Sequence, residues 1–235
     1  MSDPLGEIGG LMNPLLSEIA YILDRSGSMQ PMQEAAVSAF NDFLKVQLET
    51  PGQARLTLVQ FDDAYEVPIA ARFLPDVPQL TAATYTPRGS TALLDAIGRT
   101  IHETDRRLES LADADKPAKV ILAIFTDGFE NASRQFTSEQ VSDLIRRYRD
   151  EKGWEFLFLA ANQDAIATAS QMRVDVQMCA SVSYSGQGIR STGTAMARKV
   201  RAMRMRSSDT MDAQAEADEA KSMDQILREE EGKAP

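Results

Sequence analysis

Asp24, Ser26 and Ser28 stand at alternate positions in the run Asp24-Arg25-Ser26-Gly27-Ser28. Alternate side chains of an extended loop can converge on one point while neighbours diverge. A carboxylate with two hydroxyls is an all-oxygen set suited to a small hard cation. Gly27 permits a tight turn between the two hydroxyls. Two distant segments offer further groups of the same kind. Gly89-Ser90-Thr91 brings another hydroxyl, and Thr126-Asp127-Gly128 brings a second carboxylate.

The elements around these segments are readable. Ile19-Ala20-Tyr21-Ile22-Leu23 is an apolar run that predicts a buried strand ending at Asp24, and the pattern from about Met32 to Leu48 predicts a helix after it. Val120 to Phe125 is the strongest strand signal in the chain and ends at Thr126-Asp127-Gly128. Leu56 to Phe61 and Glu66 to Ala70 read as a hairpin joined by Asp62-Asp63-Ala64, with Pro68 placing the second strand at an edge. Leu94, Ile97, Ile101, Leu108 and Leu111 mark one face of a helix, and Val141, Leu144, Ile145 and Tyr148 mark another. Thr137 and Gln140 give that second helix a capping-box start. Phe156 to Ala160 is a continuous buried strand, and Val174 to Met178 alternates as a last strand near an edge. Alternating strands and helices imply an α/β fold: a doubly wound, mostly parallel central sheet with helices on both faces and one antiparallel edge strand. Ligands of such sheets sit beyond the carboxyl ends of strands, where strand order reverses. Asp24 and Asp127 both fall at such ends.

The pattern Asp-x-Ser-x-Ser, then a Thr on a Gly-rich loop, then Thr-Asp-Gly after a strand, resembles the von Willebrand factor A (VWA) domain family, over roughly Glu18 to Met178. In that family these residues form the metal-ion-dependent adhesion site, and the pattern here matches it without gaps. The resemblance implies that Ser26, Ser28 and Thr91 bind a metal through their hydroxyls. Asp24 and Asp127 would act through bound water or in direct contact. Magnesium is the expected ion; manganese fits the same set, and calcium fits less well. Neutral hydroxyls offset little of the ion's charge, so it would favour an anionic oxygen from a partner protein presenting Asp or Glu. Arg25, Phe129 and Glu130 are expected on the partner-binding rim. Alone, each segment also has a plain structural reading, as a helix cap or a strand-ending turn.

The implied function is a metal-dependent protein-binding module, not an enzyme. One alternative is an adaptor subunit of an ATP-driven (AAA-type) or stress-response assembly, by analogy with intracellular family members. Another is a metal-dependent phosphohydrolase with Asp24 as nucleophile; its neighbours Arg, Ser, Gly and Ser lack the second acid and lysine that such chemistry wants. No Gly-x-Gly-x-x-Gly or P-loop lysine pattern occurs. The single His102 and the single Cys179 read as packing residues, and Asn162-Gln163-Asp164 reads as a helix cap.

The net charge of −10 argues against nucleic-acid binding and against adsorption to anionic membranes. Residues 1–17 read as an N-terminal extension without the features of a signal peptide. With one cysteine and no apolar run of membrane-spanning length, the chain is expected to be cytoplasmic, a bacterial-type intracellular member of the family. The VWA-like domain is expected over 18–180. Residues 181–206 read as an appended loop, rich in Ser, Gly and Thr from Ser181 to Gly193, and a basic helix from Thr194 carrying Arg198, Lys199, Arg201, Arg204 and Arg206. Residues 207–235 read as an acidic disordered tail. Such a tail could reach the metal site, pair with the basic helix, or simply solubilise the chain.

Overall fold

The computed structural model describes residues 13–161 and 172–232. Asn162-Gln163-Asp164 and residues 1–12 lie outside them. Six strands form one sheet: β1 (Asn13–Asp24), β2 (Gln53–Phe61), β3 (Tyr65–Phe73), β4 (Pro117–Thr126), β5 (Glu155–Ala160) and β6 (Cys179–Ser181). Their order is β3-β2-β1-β4-β5-β6, parallel except for β3, which pairs antiparallel with β2. Pro68 lies on that antiparallel edge strand, where a missing backbone donor is tolerated. The strand order reverses between β1 and β4.

β1 is central and buried on both faces, which is why it reads as continuously apolar. Ile19, Tyr21 and Leu23 face one layer of helices; Ala20 and Ile22 face the other. The first layer holds α1 (Gln33–Glu49), α4 (Gly186–Ser207) and α6 (Met223–Gly232). The second holds α2 (Leu93–Glu109) and α3 (Ser138–Lys152), with the expected capping box at Thr137 and Gln140. Among the described residues, no helix is long and apolar enough to cross a membrane.

Several expectations for the end regions need correction. The sheet takes in residues from Asn13, so part of the presumed extension is strand, with Leu16 buried. Val174 to Met178 is not a strand. The Asp175 carboxylate accepts a hydrogen bond from the Gln177 N–H (2.9 Å) and turns Val176–Met178 into a short 3-10 helix; pairing with β5 starts at Cys179. The Ser/Gly/Thr-rich stretch after Ser181 is not loop up to Gly193. Ser185 caps α4 by accepting from the Gly188 N–H (3.0 Å). The small residues instead allow close helix packing: a Cβ on Gly193 would lie 2.5 Å from the Ala39 carbonyl oxygen on α1.

α4 is therefore a core helix, not an appendage. Ala195, Met196, Val200 and Met203 are fully buried. Its basic residues are anchors. Arg204 donates to the Gln47 carbonyl (2.8 Å) and the Gly52 carbonyl (3.1 Å), joining the end of α1 to the start of β2. The Lys199 ammonium donates to the carbonyls of Asp218, Glu219 and Lys221, satisfying acceptors at the end of α5 (Ala213–Ala220). Nor is the acidic segment disordered. Arg198 pairs with Asp218, Glu229 and Glu230, Arg201 with Asp212, and Arg206 with Glu219. Met223, Ile226 and Leu227, at helical spacing, are buried against α4 and β6. Met203, Met223, Ile226 and Leu227 are too sparse in the sequence for a second core; they suffice because they complete one that already exists.

Ile226→Ala removes a fully buried side chain and should cost ~2–5 kcal/mol of stability. Urea unfolding of the full chain measures this, and a loosely attached tail would leave the midpoint unchanged.

Candidate metal centre

The parallel pairing of β1 with β4 builds the site. Leu23 lies opposite Phe125, so the next residues, Asp24 and Thr126, meet at the carboxyl ends of the two strands. Asp24 is fully buried. Its Oδ2 accepts from the Thr126 hydroxyl (2.5 Å) and its Oδ1 from the Ser26 N–H (2.7 Å). Ser26 Oγ and Ser28 Oγ are 3.0 Å apart, and the Ser28 hydroxyl donates to Asp127 Oδ1 (2.9 Å). Thr91 completes the group from the third segment. A Cβ built on Gly128 would lie 2.7 Å from Thr91 Oγ1 and 3.4 Å from Asp24 Oδ2. Glycine at 128 thus keeps the space between Thr91 and Asp24 open. All five oxygen-bearing residues named from the sequence converge here.

Backbone bonds hold the three segments in register. The Gly27 N–H donates to the Gly89 carbonyl (3.1 Å), and the Arg88 N–H to the Arg25 carbonyl (2.7 Å). The Thr91 N–H donates to Asn131 Oδ1 (3.0 Å), and the Asn131 N–H returns a bond to the Thr91 carbonyl (3.0 Å).

Two of the three expected rim residues are placed otherwise. Arg25 is only 5% exposed. Its guanidinium turns to Asp62 (3.1 Å) and Glu66 (2.6 Å), and Arg88 reaches the same two acids. Buried Asp62 draws Arg25 inward, and through the acids shared with the exposed Arg88, Arg25 ties the Ser26 loop to the Gly89 loop instead of facing a partner. The Glu130 carboxylate accepts from the N–H groups of Leu94, Ala132 and Ser133 and from the Ser133 hydroxyl. It anchors the first turn of α2, where a negative charge is favoured. Phe129 is 57% exposed and lines the cleft over the site. His102 stacks on Phe136, and Cys179 is buried.

Other residues at the site gave little signal in the sequence. The buried Tyr85 donates its hydroxyl to the Asp24 carbonyl (2.5 Å). Tyr184 donates to the Ser28 carbonyl (2.7 Å) and lines the cleft. Each is a lone aromatic in a stretch of small polar residues, and only that contrast marks it.

Burial pushes the Asp24 carboxyl up to about 6; hydrogen bonds from Thr126 and Ser26 oppose the rise and the nearby Asp127 charge adds to it. Burial likewise raises Asp127. Two carboxylates held at a cost in their charged forms, beside three hydroxyls, suit a divalent cation. The set has no nitrogen or sulfur donor, and among the described residues no group of three or more His, Cys, Asp or Glu is placed to hold a metal ion. Both Asp24 oxygens are engaged as acceptors, which suits a positioning role better than nucleophilic attack.

No family model matches the sequence, and no curated protein matches it. Similarity appears in solved structures. A von Willebrand factor type A protein from Catenulispora acidiphila aligns at TM-score 0.50 and 13% identity, over 84% of this chain and 43% of that one. Proximal thread matrix protein 1 from the mussel byssus, with a zinc-occupied MIDAS motif, aligns at 0.55 and 15%, over 80% and 48%. Manganese-loaded TRAP protein of Plasmodium vivax aligns at 0.50 and 11%, over 74% and 70%. This chain thus spans less than half the length of the first two. At these identities the likeness is one of fold: a VWA-like α/β architecture.

In the metal-free protein, the Asp24 carboxyl should titrate near pH 6 by carbon-detected NMR; a midpoint at or below 4 would contradict its burial. The sign of the linkage follows. The native state holds this proton more tightly than the unfolded chain, so its stability contribution is present below about pH 4. It is lost as pH rises through about 6, a change of roughly 3 kcal/mol at most.

Proposed function

We propose that this protein is a cation-dependent protein-binding module that docks an acidic residue of a partner. The observation that carries this reading is the meeting of Asp24, Ser26, Ser28, Thr91 and Asp127, from three distant segments, at the point where strand order reverses. Ser26, Ser28 and Thr91 would hold a divalent cation through their hydroxyls, with Asp24 and Asp127 orienting bound water or coordinating directly. Magnesium or manganese suits this small all-oxygen set. The bound cation supplies an electrophilic position for a partner's carboxylate. Two structural neighbours, one with a zinc-occupied MIDAS motif and one manganese-loaded, support the reading.

The protein's own residues do the preparatory work. Thr126 and the Ser26 N–H fix the Asp24 carboxylate, so it need not reorganise on binding. The hydrogen-bond chain from Ser26 through Ser28 to Asp127 keeps the hydroxyls near their working positions. Tyr85 and the Arg25–Asp62 pair support the loops from behind.

Calorimetric titration with Mg2+ and Mn2+ tests the proposal. Wild type should bind one ion, Asp24→Ala should lose binding while remaining folded, and Asp127→Ala should bind more weakly. Saturating metal should raise the melting temperature, by linkage worth about 2.7 kcal/mol at a hundredfold excess over the dissociation constant. A melt indifferent to both ions, with no heat of binding, would sink the assignment.

A further inference from the structure

We infer that the cleft over the cation site selects a partner segment in which a single carboxylate sits next to a large apolar side chain. This rests on the cation-docking reading above and specifies the partner's chemistry. The cleft encloses about 360 Å³ and is lined by Ser28, Thr91, Asp127, Phe129, Asn131 and Tyr184, with Gly128 and Ala161. Phe129, after β4, and Tyr184, after β6, supply with Ala161 the large and small apolar parts of this lining. Phe129 is 57% exposed and Tyr184 48%, so two of the large exposed hydrophobic residues of the described chain flank this one cleft. The Tyr184 ring is already held by its hydroxyl bond to the Ser28 carbonyl (2.7 Å), so little ordering cost remains to be met on binding.

Asn131 also lines a neighbouring depression, with Asp63, Ser90, Asp95 and Arg134, where the Asp95 carboxylate accepts from the N–H groups of Arg134, Gln135 and Phe136. No basic side chain lines the cleft itself among the described residues. Arg25, the cation nearest in sequence, is spent on Asp62 and Glu66. A ligand can therefore place one negative charge at the cation. A second acid would find no basic side chain in the cleft, while an apolar neighbour would bury surface against Phe129 and Tyr184.

The test is calorimetry on the full chain loaded with Mn2+. The probes are capped pentapeptides with a central Asp: one with Gly elsewhere, two with Phe immediately before or after the Asp, and one with Asp on both flanks. At least one Phe peptide should bind about tenfold tighter than the Gly peptide, equivalent to ~1.4 kcal/mol. The multi-acid peptide should gain nothing. Phe129→Ser should cut the Phe advantage below about threefold, with the variant's Mn2+ affinity measured alongside to show that the cation site is intact. Equal affinity for the Phe and Gly peptides, tightest binding of the multi-acid peptide, or a Phe preference that survives in Phe129→Ser would each overturn the inference. If no peptide binds although Mn2+ does, the carboxylate-docking reading itself fails, and this one with it.

Discussion

The pairing of β1 with β4 is the constraint on which the rest depends. Both strands are parallel and central, and their connections leave on opposite sides of the sheet. The residues that follow the two strands are brought together where they part. Because the register puts Asp24 next to Thr126, a carboxylate ends up fully buried with a hydroxyl donor 2.5 Å away. Shifting β4 by one residue would turn its side chains to the opposite face and remove that partner.

Around this junction the structure separates two electrostatic tasks. One acidic set, Asp62 and Glu66, is neutralised by Arg25 and Arg88 and holds loops together. The other, Asp24 and Asp127, is held by hydroxyls and amides. Had Arg25 turned toward Asp24, an internal ion pair would have compensated the site, and it would have had little use for a metal. Buried Asp62, one residue beyond β2, prevents this by offering Arg25 a better-placed partner.

The fold was legible where periodicity is local and strong. The apolar runs of β1, β4 and β5, the hairpin with Pro68 on its edge strand and the Thr137 capping box all read directly, because each is a short-range pattern. The convergence of Asp24, Ser26, Ser28, Thr91 and Asp127 was legible as a constellation. The direction of Arg25 and Glu130 was not, since it depends on Asp62 and on the Leu94 and Ser133 donors, which sequence proximity does not reveal. The C-terminal region misled for a related reason. Gly193 and its small neighbours read as a loop by composition, but their value is a close helix crossing with α1, a relation between residues more than 150 positions apart. The acidic segment read as solvated because the arginines that neutralise it lie on another helix.

The direction of β1 has a consequence for display. This strand crosses the sheet from Asn13 to Asp24, ~40 Å at the usual rise per residue. The chain therefore enters the sheet at one pole and reaches Asp24 and the residues gathered around it at the other. A tether, neighbouring domain or solid support joined ahead of Asn13 would hold the molecule by its far pole. The cleft would then point outward, like the working end of a handled tool.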